Sequence, residues 1–70
     1  MKKYLIIIEK TNTGFSAYSP DLHGCIATGA NKDETLKNIH EAIDFHLEGM
    51  ILENIDIPEP ETEIDYFEYV

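Results

Sequence analysis

Asp21, His23 and Cys25 stand at alternate positions of residues 14–29, a stretch reading G-F-S-A-Y-S-P-D-L-H-G-C-I-A-T-G. A carboxylate, an imidazole and a thiol so spaced could ligate a metal or assemble a nucleophile with its base. Zinc wants about four ligands in tetrahedral array, and Cys25 has no second cysteine to join it. A thiolate nucleophile needs a base, which His23 could imitate, and a group to orient that base. The bland alternative accounts for all three. Asp21 caps the turn after Pro20, Gly24 permits the bend, and Cys25 is a small core residue. The remaining histidines, His40 and His46, are six apart in a helical pattern, about 120° around the axis, and do not chelate one ion. Glu9, Asp21, Glu41, Asp44 and Glu48 offer carboxylates for two-metal hydrolysis, but nothing in their spacing forces convergence on ions about 4 Å apart. The expected catalytic set, metal site and cofactor are therefore none.

Charge narrows the partners. Five lysines, no arginine and fourteen acids give a net charge of −9. Without arginine the chain lacks the usual bidentate reader of guanine and a principal phosphate ligand. Nucleic acid should repel it, and a basic protein should be steered towards it. Residues 1–52 carry five lysines against seven acids, whereas residues 53–70 carry seven acids and no base. The longest apolar run, from Tyr4 to Ile8, is far too short to span a bilayer. A single cysteine and no signal peptide point to a reducing, cytoplasmic setting.

These residues need a scaffold, and the sequence supplies one domain over residues 1–70. Residues 3–10 read as a strand with apolar side chains on both faces. The turn Thr11-Asn12-Thr13-Gly14 leads to a second strand at 14–19, which Pro20 ends for want of an N–H. A third strand covers 25–29. Asn31, followed by Glu34, makes a variant capping box for a helix over 32–50, with Leu36, Ile39, Ile43, Leu47 and Met50 forming its apolar stripe. Ile57-Pro58-Glu59-Pro60 is a stiffened connector, and 63–70 reads as a last strand. The order is β-β-β-α-β: an α+β fold, a small antiparallel sheet with one packed helix. One helix covers one sheet face, so a second subunit or the C-terminal segment should cover part of the other. A chain this small buries only about 60% of its unfolded surface, which favours association as a homodimer or higher homo-oligomer.

The ordered set A-Y-S-P-D-L-H-G-C-I-A-T-G (17–29), N-I-H-E-A-I (38–43), L-E-G (47–49) and I-P-E-P (57–60) resembles the HicB-like antitoxins over nearly the whole chain. The resemblance implies a partial ribonuclease-H-like fold that dimerises and neutralises a small basic HicA-like toxin, an mRNA-cleaving protein, by covering its active surface. Two departures stand out. His23 occupies a loop position where the family commonly has proline. Longer members continue into a DNA-binding module, so this short form implies no direct contact with nucleic acid.

Phe45 lies opposite the stripe on the helical wheel, close to Asn38, Glu41 and Glu48. An aromatic ringed by acids suits a basic, partly apolar partner. The expected partner-binding residues are Tyr18, Asp21, His23, Glu41, Phe45, Glu48, Tyr66 and Tyr69. Two other classes of function stay open: a metal-dependent nuclease remnant using Glu9, Asp21 and the helix carboxylates, and a stand-alone oligomeric regulatory protein.

Overall fold

The computed structural model describes all residues from Met1 to Val70. Three strands, β1 (Ile7–Lys10), β2 (Phe15–Tyr18) and β3 (Ile26–Gly29), precede one helix, α1 (Lys32–Leu52). They form an antiparallel sheet in the order β1-β2-β3. Ile8 lies opposite Ala17, and Ala17 opposite Ala27, so these residues share one face. The helix packs on that face. Ala17 and Ile39 are fully buried there beside Leu22 and Cys25, with Ile6, Ile8, Leu36, Ile43 and Leu47 around them. On the other face Ile7, Tyr18 and Ile26 form one cross-strand row, and Ile26 is exposed. The expectation of apolar side chains on both faces therefore holds, with Ile7 and Tyr18 half-buried and Ile26 left open.

β1 starts four residues later than the expected 3–10, for a reason in its neighbour. Tyr18 pairs with Ile7, and the next partners in register are Ser19 and Pro20. There the chain turns, and proline has no donor for the ladder.

The helix begins as the sequence requires. The Asn31 carboxamide oxygen accepts from the Glu34 N–H at 2.8 Å, and the Glu34 carboxylate accepts from the Ala30 N–H at 3.1 Å. Its C-terminus passes the expected stop. Gly49 remains helical, and Asn54 supplies the left-handed residue (φ 58°) that ends the helix. The Asn54 N–H donates to the Ile51 carbonyl and the Ile55 N–H to the Met50 carbonyl, a Schellman closure that satisfies two orphan acceptors.

The expected last strand over 63–70 does not form. Residues 56–70 make no backbone–backbone hydrogen bond, and Pro58 and Pro60 cannot donate one. Instead the segment crosses the end of the sheet. The Tyr4 hydroxyl donates to the Pro58 carbonyl at 2.6 Å, and the Lys2 ammonium pairs with the Glu59 carboxylate. The element order is β-β-β-α with an extended tail.

Candidate functional site: loop, helix flank and tail

The loop between β2 and β3 is built from two successive turns. The Leu22 N–H donates to the Ser19 carbonyl and the Cys25 N–H to the Leu22 carbonyl. Gly24 holds the third position of the second turn at φ 83°, a left-handed conformation costly for any residue with a Cβ. These turns send the three candidate side chains apart. Cys25 points into the core, where burial raises its thiol above the ordinary value and keeps it protonated. His23 stands in solvent. Asp21 turns to the tail: one carboxylate oxygen accepts from the Glu61 and Thr62 N–H groups at 3.2 and 3.1 Å, the other from the Thr62 hydroxyl at 2.8 Å. The local cap expected of Asp21 is thus replaced by a clasp on residues forty positions away. These bonds, those from Thr62 foremost, hold its pKa below the ordinary carboxylate value.

The helix flank keeps Phe45 exposed among the acids its wheel position predicts and adds a groove beside it. Asn38, seven residues earlier on the same side, donates through its side-chain amide to the Thr28 carbonyl at 2.8 Å. That bond ties Asn38 to the margin of β3, while the rest of this side stays in solvent. Phe45 is 81% exposed and borders a groove with Gly24, Ile26, His46, Met50 and Ile55. The sequence pattern gives Met50 to the apolar stripe and gives Ile26 and Ile55 no site, because only tertiary contact brings β3, α1 and the residues after it to one groove. Glu41 and Glu48, one turn before and after Phe45, are exposed beside it.

Of the other expected residues, Tyr18 lies on the open sheet face between Ile7 and Ile26. Tyr66 and Tyr69 are exposed on the tail with Phe67. The structure thus unites Asp21 with the tail and places Phe45 beside β3, but it does not gather all eight candidates into one patch. No group of three His, Cys, Asp or Glu side chains is placed to hold a metal ion. No helix is long and apolar enough to cross a membrane.

Residues 4–69 match the family described as HicB_like antitoxin of bacterial toxin-antitoxin system. An uncharacterised 14.9 kDa protein of Haemophilus phage HP1 is 42% identical over 79% of this chain, a match spanning 41% of its own length. A UPF0150 protein of Helicobacter pylori is 44% identical over 59% of this chain and 57% of its own. A UPF0150 protein of Thermoplasma acidophilum is 39% identical over 87% of this chain and 90% of its own. Among solved structures, a chain of the HicA3 and HicB3 toxin-antitoxin complex superposes with a TM-score of 0.70 at 37% identity, covering 86% of this chain and 70% of that one. Sequence pattern and fold agree: the chain belongs to the HicB-like antitoxins of bacterial toxin-antitoxin systems.

Proposed function

We propose that this protein neutralises a small basic HicA-like toxin by occlusion, without enzymatic activity of its own, and that it acts in the cytoplasm. The observation that carries this reading is the 37% identical structural match to a chain of a toxin-antitoxin complex. The net charge of −9 supports it, because acids on this surface would take the place that RNA phosphates occupy on a basic toxin. Phe45, exposed between Glu41 and Glu48, supplies apolar contact area within that acidic frame. The three-stranded sheet with its single helix is the arrangement we take as a partial ribonuclease-H-like fold. The apolar row Ile7–Tyr18–Ile26 is the surface we assign to pairing of two copies.

The test is co-expression of this chain with a small basic HicA-like toxin from the same genome. Rescue of growth, a stoichiometric complex and loss of RNA cleavage are the expected results. Association should slow as salt rises, since screening weakens steering more than it weakens buried contacts. A toxin that cleaves RNA equally well in the presence of excess antitoxin would refute occlusion.

A further inference from the structure

The tail leaves the body at a defined place. Residues 58–62 run from Tyr4, just before β1, to Asp21 in the β2–β3 loop, so the chain traverses the end of the sheet and departs on the β3 side. Beyond Thr62, the only hydrogen bond from a backbone group of residues 63–70 runs from the Tyr66 N–H to the adjacent Asp65 side chain. Eight residues, E-I-D-Y-F-E-Y-V, thus leave nearly every backbone donor and acceptor unpaired, with Ile64, Tyr66, Phe67, Tyr69 and Val70 all exposed. Two tyrosines, a phenylalanine, an isoleucine and a valine are strong strand formers. Unpaired polar backbone beside exposed aromatics is the composition of a strand that lacks its sheet.

We propose that residues 63–70 are a donated β-strand that pairs with an open sheet edge on a basic protein, and that Asp21 fixes the point from which the strand is offered. This rests on the toxin partner proposed above and names the contact by which that partner is held. Extended, the eight residues reach about 26 Å, enough to line one edge of a small domain. The edges within a second copy of this chain fit less well. At β3, the Thr28 carbonyl is already taken by Asn38, and the adjoining groove holds Glu53 and no lysine. Ahead of β1, the Tyr4 and Lys2 side chains already hold Pro58 and Glu59 of the same chain, so the approach to that edge is partly taken. Glu63, Asp65 and Glu68 would meet like charge at the β3 groove and opposite charge on a basic partner.

Amide hydrogen exchange on the antitoxin alone and in complex with the HicA-like toxin from the same genome tests this directly. Protection of residues 64–70 in the complex is expected. Glu68→Pro, or its neighbour Tyr69→Pro in the other register, removes a ladder donor and should weaken the complex by about thirtyfold, the scale of a binding hot spot, while Glu68→Gln should weaken it by less than about threefold. A complex that forms with an unprotected tail and equal affinity for all three variants overturns the donated strand and leaves the antitoxin reading standing. Protection that appears in the isolated protein and is lost together with a homodimer in either proline variant assigns the strand to a second copy and overturns the basic partner. Failure of the unmodified protein to bind the toxin overturns both.

Discussion

The Asp21 carboxylate accepts hydrogen bonds from both the backbone N–H and the hydroxyl of Thr62, joining the β2–β3 loop to the tail across forty-one positions of sequence. Charge-assisted bonds of this kind strengthen when the acceptor is ionised. The native pKa of Asp21 lies below its ordinary value of 3.8, the Thr62 N–H being the first cause, the Thr62 hydroxyl the second and the Glu61 N–H a further one. The sign follows from linkage. A depressed carboxylate stabilises the clasp fully above the unfolded value and loses that stabilisation as pH falls through the native one. The protection factor of the Thr62 amide, its rate relative to the free-chain rate at the same pH, should therefore be high at pH 6 and fall as pH drops from 3.8 through the lower native value, and Asp21→Asn should be weakly protected throughout. Strong protection in Asp21→Asn would show that other contacts hold the segment.

His23 is the first central residue of a turn whose second is Gly24 at φ 83°, a position that favours proline. Its N–H makes no hydrogen bond within the backbone network, so proline there removes no partner. His23→Pro should raise stability by about 0.4–1 kcal/mol, chiefly by restricting the unfolded chain. Urea unfolding of the two proteins decides it, and a lower midpoint would mean that the turn needs a conformation proline cannot reach.

Much of this architecture is written locally. The Asn31 cap, the Leu36–Ile39–Ile43–Leu47 stripe and the alternation of Phe15 and Ala17 each rest on interactions within a few residues, and their elements are where periodicity places them. Cys25 is likewise the core residue its type predicts. What could not be read locally was decided at long range. Residues 63–70 have strand composition, yet no edge of this chain receives them. Asp21 has the sequence of a turn cap, yet its carboxylate serves Thr62. Phe45 is exposed opposite the stripe as its angle predicts, yet the groove it borders is made with Ile26 and Ile55 from other parts of the chain. The helix stop fell to Asn54 rather than Gly49, because either residue tolerates a left-handed backbone and only the path of the following chain chooses.

Gly29 lies tightly against the first turn of the helix. A Cβ at this position would lie 2.5 Å from the Thr35 hydroxyl and 2.7 Å from the Thr35 N–H nitrogen. Thr35 is fully buried and donates its hydroxyl to the Asn31 carbonyl at 2.8 Å, so it has little room to retreat. Gly29→Ala should cost about 1–3 kcal/mol through this overpacking. A denaturation midpoint equal to that of the unmodified protein would show that the first helical turn shifts freely.

Phe45 and Ile39 are six residues apart on one helix and answer opposite questions. Ile39 is fully buried against Ala17, Leu22 and Cys25, and truncation to alanine should cost about 2–5 kcal/mol by transfer and cavity formation. Phe45 is exposed at the groove, and Phe45→Ala should change stability by no more than about 0.5 kcal/mol. If the helix flank meets the toxin, the same substitution should weaken the complex by about 2 kcal/mol, as an aromatic anchor among acids would. Calorimetric unfolding and titration of both variants separate packing from binding. Wild-type affinity in a fully folded Phe45→Ala protein would remove the flank from the toxin interface and leave the tail as the surface to map.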